Sequence, residues 1–256
     1  MNASVDRVRI GRLPIDRLTF DGALDAVERM IADQHGGTVF TPNVDHIVMA
    51  EHDPVFRDAY ATASLSLVDG KPVLWAARAL GPGLPEKISG SDFVPALLDR
   101  AKERDWRVYL LGGAPGSAER ACAVLEGRKI RVAGFSAPRV AVSAKIDDHR
   151  EIAESIARAK ADLVLVGLGA PKQELFSAAV RDVVRPAVLI GCGATIDFLA
   201  GVVPRAPKWI SEAGLEWLYR LAKEPRRLWR RYLLRDPEFA LVVLRQLRGG
   251  LKKSTA

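Results

Sequence analysis

The sequence predicts an α/β fold: a Rossmann-like, mostly parallel sheet with helices on both faces, followed by a basic helical appendage. Three observations lead there. Short apolar runs alternate with helical patterns through the first ~200 residues, and nearly every run ends in Gly, Asn or Asp. From about Pro204 the alternation stops, and helical periodicity punctuated by Pro225 and Pro237 takes over. These features divide the chain into a catalytic α/β domain over residues 1–203 and an appendage over 204–256.

The elements follow in order. "GTVFTPN" (37–43) reads as a strand and turn, and "DHIVMAEHDPVFRDAYATA" as one helix. "LSLVDG" (65–70) is a strand and turn before the helical "KPVLWAARAL". "RVYLLGG" (107–113) is a buried strand before the helix "SAERACAVLE", and "IRVAGF" (130–135) is another strand. "REIAESIARAK" is helical and "ADLVLVGLG" (161–169) a strand; "KQELFSAAVRDVV" is helical and "AVLIGCG" (187–193) a strand. In open α/β sheets ligands bind outside the carboxyl ends of the strands, so the residues that punctuate these runs are expected to line one crevice.

Composition bounds the function. With 256 residues and 48% apolar content, a core of ordinary size can form. Two cysteines, Cys122 and Cys192, make no disulfide framework and point to a reducing compartment. No secretory leader pattern is visible, and no run approaches the ~18 apolar residues of a membrane span. The net charge of +7 is unevenly placed: residues 203–256 hold 13 Lys/Arg against 5 Asp/Glu, while residues 1–202 hold 25 against 26. Such asymmetry points to an anionic partner: nucleic acid, lipid headgroup or phosphorylated substrate.

The motifs refine this. In "VYLLGGAPGSAERA", Gly112, Gly113 and Gly116 allow close backbone approach, and a helix N-terminus favours an anion; a tight turn needed for packing explains the same residues. In "LVLVGLGAPKQELF", Gly167 and Gly169 end an apolar strand, and Pro171, Lys172, Gln173 and Glu174 open a helix. A lysine and an amide there suit a diphosphate or sugar hydroxyls. Asp69 follows an apolar strand and precedes Gly70; it reads as a turn former or as a carboxylate aimed into the crevice, able to take a proton from an attacking hydroxyl. Thr41 and Asn43 are neutral hydrogen-bonders at another strand end, Asn43 also suiting a helix cap. Asp45 and His46 are placed to pair, although a single His in an apolar helix is more often structural. Asp197 lies near a helix start, where the dipole favours it. No Asp-x-Asp, zinc-spaced Cys/His cluster or Gly-x-Ser-x-Gly elbow occurs, so no metal or cofactor is expected. Helix N-termini and basic side chains then have to stabilise any diphosphate leaving group.

Residues 226–235 form a basic amphipathic helix on a wheel of about 100° per residue. Arg226, Arg227, Arg230, Arg231 and Arg235 fall within about 180°, while Leu228, Trp229, Tyr232 and Leu233 fill about 200–340°; Leu234 breaks the division. This is the pattern of an interfacial helix, with arginines suited to bidentate phosphate contacts. Without a helix-turn-helix or zinc finger, and with the basic residues confined to the appendage, nucleic acid is not the expected partner.

These segments, in this order, resemble the WecG/TagA/CpsF family of bacterial glycosyltransferases. The resemblance rests on "TPNVDHIV", "LVDGKPVLWAARALG", "KISGSDFVPALL", "VYLLGGAPG", "ADLVLVGLGAPKQELF", "GCGATIDFLAGVVPRAPKW" and "GLEWLYRLAKEPRRLWRRYLL". It implies an inverting, metal-independent transferase. Such enzymes move an N-acetylmannosamine-type or related sugar from a UDP-sugar to a polyprenyl-diphosphate-linked sugar at the inner face of the cell membrane. It further implies Asp69 as general base, with Thr41, Asn43 and Gln173 around the reacting sugar. Gly70, Gly112, Gly113, Gly167, Gly169, Lys172, Glu174 and Asp197 are the expected UDP-sugar contacts. Arg220, Arg226, Arg227, Arg230 and Arg231 are expected to hold the lipid diphosphate, the tail to touch the anionic membrane surface, and the chain to self-associate. The loop "GFSAPRVAVSAKIDD" (134–148) departs from the family pattern. Two other readings stand beside this one. A nicotinamide-dependent oxidoreductase would need an acidic ribose anchor after "IRVAGF", where none occurs. A non-enzymatic membrane-binding module leaves the polar strand ends unexplained.

Overall fold

In the computed structural model, residues 6–81 and 83–254 are described, apart from the side chains of Lys208, Glu212, Arg227 and residues 250–254. An antiparallel hairpin comes first: β1 (Arg7–Ile10) and β2 (Leu13–Asp16). Then follow α1 (Phe20–Ala32), β3 (Gly37–Phe40), α2 (Val44–His52), α3 (Pro54–Ala61), β4 (Leu65–Ser66), α4 (Lys71–Leu80) and α5 (Gly90–Glu103). The chain continues through β5 (Arg107–Gly112), α6 (Ser117–Gly127), β6 (Arg131–Ser136), α7 (Arg150–Arg158), β7 (Leu163–Gly167), α8 (Lys172–Val180), β8 (Val188–Gly191) and α9 (Thr195–Leu199). The arm comprises α10 (Lys208–Glu212), α11 (Glu216–Lys223), α12 (Pro225–Trp229), a π-helical segment (Arg230–Arg235) and α13 (Glu238–Ser254).

The main sheet has six strands in the order β4-β3-β8-β7-β5-β6, and every pairing is parallel. Parallel strands covered on both faces read as unbroken apolar runs, which is why β7 and β8 carry little period-2 signal. Alternate residues nevertheless serve different cores. Val108, Leu110, Leu163, Leu165, Val188 and Ile190 pack under α1, α5, α6 and α9. Tyr109, Leu111, Val164, Val166 and Leu189 pack on the other face with α7 and α8. A third cluster joins the hairpin to α2, α3 and α4 through Ile10, Leu13, Ile15, Phe40, Phe56 and Tyr60.

The helix expected across residues 45–63 is two helices. Pro54 has no amide hydrogen to continue α2, and Asp53 caps α3 by accepting from the Phe56 amide at 3.1 Å. The hairpin is anchored by Asp16, which pairs with Arg7 at 2.6 Å and accepts from the Ser66 amide at 2.7 Å.

The segment expected as an appendage returns to the body of the fold. Val242 of α13 is buried in the third cluster, and Gln246 clasps the hairpin turn: its Oε1 accepts from the Gly11 amide at 2.8 Å and its Nε2 donates to Arg9 O at 2.7 Å. Val242 and Gln246 thus pack α13 against the core and turn of the N-terminal hairpin.

Gly112 ends β5 at φ +96°, and a Cβ there would lie 2.7 Å from the Gly167 carbonyl oxygen of the neighbouring strand. This is a backbone neighbour that cannot swing away. Gly112→Ala is expected to cost about 2 kcal/mol or more from the strained φ and the clash. Urea denaturation checks this; Gly116→Ala, at φ +78° with open space around it, is expected to cost less.

Candidate active site

Five of the six parallel strands deliver their carboxyl ends to one crevice. β3 supplies Thr41 and Asn43, β4 supplies Asp69, β5 supplies Gly113 and Ala114, β7 supplies Gly167 to Ala170, and β8 supplies Cys192 to Thr195 with Asp197 just inside α9. The arm closes the remaining side with Glu216, Arg220, Leu228 and Arg231. The result is a polar cavity of about 440 Å³. A second cavity of about 350 Å³ lies between α4 and the arm, walled by Val44, Pro72, Trp217, Tyr232 and Phe239. Asn43, Asp69, Glu216, Arg220 and Arg231 line both, so the Asp69 carboxylate stands where the two cavities meet.

Local chemistry explains how each side chain is held. The Asp69 amide donates to Pro42 O at 2.9 Å, fixing the β4 loop against the β3 loop, and Gly70 at φ +93° turns the chain into α4. Asn43 caps α2, its Oδ1 accepting from the His46 amide at 3.3 Å and from Arg231 Nη2 at 3.2 Å. Thr41 Oγ1 donates to Gly191 O at 3.4 Å. Gln173 is clamped at both ends of its amide: Oε1 accepts from the Gly193 amide at 3.0 Å, and Nε2 donates to Glu174 Oε1 at 2.8 Å. Asp197 accepts from the Ala114 amide at 2.7 Å, tying the turn after β5 to α9.

Two carboxyls stand out electrostatically, the half-buried Asp69 and the buried Glu174. Burial, then the neighbouring Glu216, push Asp69 up to about 7, against the opposing pull of Lys87, Arg220 and Arg231. Burial pushes Glu174 up to about 7 as well. Its side chain is wholly enclosed, and its Oε2 has no hydrogen-bond partner among the described residues. His46 does not pair with Asp45. Its Nδ1 shares a 2.7 Å hydrogen bond with Tyr60 Oη, and burial holds the ring neutral with a pKa of about 3. Asp45 instead meets Arg231 Nε at 3.3 Å and Arg235 Nη2 closely.

The expected site residues divide accordingly. Thr41, Asn43, Asp69, Gln173, Gly113, Gly167, Gly169 and Asp197 line the polar cavity, Gly70 lines the apolar one, and Arg220 and Arg231 line both. Gly112, Lys172, Glu174, Arg226 and Arg230 line neither. Gly112 serves strand packing and Glu174 lies behind Gln173, whereas Arg226 and Arg230 face solvent. The Arg227 side chain lies outside the described residues. Lys87, Glu216, Trp217 and Asp236 join the site without having been singled out, and Tyr232, expected only on the apolar side of the wheel, walls the apolar cavity. "KISGSDF" and "GLEWLYR" were visible as segments, but nothing in their spacing marks which side chain turns inward. The segment 134–148 begins within edge strand β6 and lines neither cavity. Among the described residues no three His, Cys, Asp or Glu are grouped to hold a metal ion, and no helix is long and apolar enough to cross a membrane.

The outward face of residues 226–235 differs from the expected wheel. Leu228 is buried, and Arg231 and Arg235, beside it on the wheel, turn inward to Asp45. Trp229, Leu233 and Leu234 are exposed together with Arg226 and Arg230, so the solvent face mixes aromatic, apolar and basic groups. The segment's π-helical turns rotate successive side chains less than an α-helix does.

The raised carboxyls have a stability consequence. Asp69 and Glu174 hold protons in the folded state that the unfolded chain has released above its ordinary carboxyl range. Folding stability attributable to them is therefore present at low pH and lost as pH rises through about 7. Thermal melts between pH 5 and 8 are expected to show this decline, and Glu174→Gln is expected to flatten it.

The chain is similar over nearly its whole length to enzymes of one chemistry. A sequence model described as "Glycosyl transferase WecG/TagA/CpsF family" matches residues 8–253. Two curated relatives carry the name N-acetylglucosaminyldiphosphoundecaprenol N-acetyl-beta-D-mannosaminyltransferase. One, from Bacillus spizizenii (strain ATCC 23059 / NRRL B-14472 / W23), is 33% identical over 249 residues, covering 93% of this chain and 93% of its own length. The other, from Bacillus subtilis (strain 168), is 31% identical over 240 residues, covering 93% of this chain and 91% of its own. With the crevice at the strand ends and a match that runs through the arm, the chain belongs to the WecG/TagA/CpsF family of glycosyltransferases.

Proposed function

We propose that the chain is an inverting, metal-independent transferase that moves an N-acetylmannosamine-type or related sugar from a UDP-sugar to a polyprenyl-diphosphate-linked sugar. The observation that carries this reading is the position of Asp69 at the meeting point of a polar and an apolar cavity. The polar cavity, built from strand ends and glycines, suits the sugar nucleotide. The apolar cavity, rimmed by Arg220 and Arg231, suits an acceptor whose sugar and diphosphate precede an isoprenoid. The named substrates of the two Bacillus relatives support the acceptor class; the uridine nucleotide follows the family resemblance alone.

In the proposed step Asp69 takes the proton from the acceptor hydroxyl while its oxygen forms a bond to the anomeric carbon. The bond from that carbon to the diphosphate breaks on the opposite face, and UDP leaves with the electron pair. A base that titrates near 7 is matched to neutral working pH. Thr41, Asn43 and Gln173 orient the reacting sugar, Gln173 having little freedom because both ends of its amide are held. Fixed cations beside the crevice take up the developing diphosphate charge in place of a bound cation. Glu174 acts through Gln173 rather than on the donor.

The exposed Trp229, Leu233 and Leu234, with Arg226 and Arg230, form the surface we assign to the inner membrane face, while Arg220 and Arg231 meet the lipid diphosphate. The oxidoreductase reading finds no support in the relatives, and a purely membrane-binding role leaves the polar cavity without a purpose.

Purified protein mixed with UDP-sugars and a soluble lipid-diphosphate acceptor analogue is expected to release UDP equally with and without EDTA. Asp69→Asn is expected to lower the rate about 10²- to 10⁴-fold with the fold intact. Near-wild-type transfer by that variant, or loss of activity in EDTA restored by a divalent cation, would contradict the mechanism. Separately, Arg226→Glu/Arg230→Glu is expected to weaken binding to anionic vesicles at least about tenfold, at roughly 1 kcal/mol per basic residue. Co-sedimentation measures it; unchanged binding would remove this face from the membrane contact.

A further inference from the structure

We propose that Lys87 and Glu216 are opposed positioning residues that set the ionisation of Asp69, and that Ser211 bridges them. The proposal deepens the reading of Asp69 as general base and rests on it only for its link to rate. Lys87 lies on the loop between α4 and α5. The backbone places it beside Asp69, because the Ile88 amide donates to Val68 O at 2.8 Å and so the residues flanking this bond run side by side. Glu216 comes from the other side, in the first turn of α11. Ser211 of α10 stands between them: its Oγ accepts from Lys87 Nζ at 3.0 Å and donates to Glu216 Oε2 at 3.0 Å. A hydroxyl can do both at once, so a cation and an anion are joined without touching. All three residues line the apolar cavity with Asp69.

Neither charge is free to drift. The Lys87 side chain is 16% exposed, and its Nζ lies 3.6 Å from Asp92 Oδ2. Asp92 is in turn held by Arg205 and by Ser89 Oγ at 2.7 Å. A fixed cation and a fixed anion on one rigid bridge act on Asp69 with opposite sign: Glu216 favours the protonated acid and Lys87 the carboxylate.

Other charged groups face Asp69. Arg220 of α11 and Arg231 of the π-helical segment pull with Lys87. Lys71 of α4 and Asp236 line the same cavity, and Asp45 and His46 of α2 line the neighbouring one. Tyr60 of α3 and Glu174 of α8 lie beneath. Arg220 and Arg231 differ from Lys87 in one respect: on the proposed mechanism their charge is taken up by substrate phosphates. Once acceptor is bound, Lys87 and Glu216 are the pair left to govern the base. Because Ser211 and Glu216 belong to the arm, docking of the arm and readiness of the base become one event.

The test uses the full chain, with two independent readouts. The first is the ¹³C chemical shift of the Asp69 carboxyl against pH in the free enzyme, assigned with Asp69→Asn. The second is the acidic limb of the rate profile with a soluble acceptor analogue. Glu216→Gln is expected to lower the Asp69 midpoint by about half a pH unit or more, Lys87→Met to raise it by a similar amount, and the double variant to return it close to wild type. Lys87→Gln and Glu216→Ala replace any variant whose thermal melt shows it misfolded, Lys87→Gln raising the midpoint and Glu216→Ala lowering it. Movement of the Asp69 titration in opposite directions upholds the proposal. Movement in the same direction, or none, overturns it. If the titration moves as expected while the rate profile does not follow, the tuning stands and the assignment of Asp69 as base falls.

Discussion

The carboxylate of Asp45 is the constraint on which the site depends. It sits at the first turn of α2 with its side chain 5% exposed, and it receives both Arg231 and Arg235 from the π-helical segment. A buried carboxylate without cationic partners costs several kcal/mol, so an arm that stayed away would leave an expensive defect beside the crevice. Arg231 is also 3.8 Å from Asp236, which burial pushes up to about 6. The cluster thus holds two arginines and two aspartates, partly enclosed, at the seam between arm and sheet.

From that docking the rest follows. Arg231 can reach both cavities only because Asp45 and Asn43 hold its guanidinium between them. Arg220 and Glu216 arrive on α11, and Trp217 stacks at a tilt against Tyr232, with ring centroids 5.9 Å apart, to wall the apolar cavity. Further along, Val242 and Gln246 fasten α13 to the hairpin. The arm is therefore held at both ends of this stretch, and the segment whose Arg231 and Arg235 turn inward carries Trp229, Leu233 and Leu234 on its outer side. On the proposed function, one short segment faces the chemistry with its inner side and the lipid carrier's membrane with its outer side.

The parallel sheet was legible because its strands are continuous apolar runs that stop at Gly, Asn or Asp, and a strand end needs those residues to turn. Asp69, Thr41 and Asn43 were legible for the same reason, standing at the ends of such runs, and Gln173 because it opens the helix after one; all four reach one crevice. What lay beyond reach depends on tertiary packing. Glu174 looks like an ordinary first-turn acid, and only the packed structure shows it enclosed behind Gln173. Gly112 and Gly113 read alike in sequence, yet one abuts a neighbouring strand and the other lines the cavity. The wheel over 226–235 set arginines and leucines on opposite sides, whereas the structure mixes them on both. Which sector turned inward was set by Asp45, some 190 residues earlier, and by local unwinding that a regular helical period cannot anticipate. Lys87 and Glu216 carry no local signal, since their meaning comes from Ser211 between them.

Asp45, through Arg231, docks the arm that closes the crevice. A double-mutant cycle on acceptor transfer tests it most directly, using Asp45→Asn, Arg231→Gln and the pair. The account predicts that Asp45→Asn alone lowers kcat/KM for the acceptor and has little further effect once Arg231 is Gln. Full activity in Asp45→Asn, or losses that simply add in the pair, would contradict it.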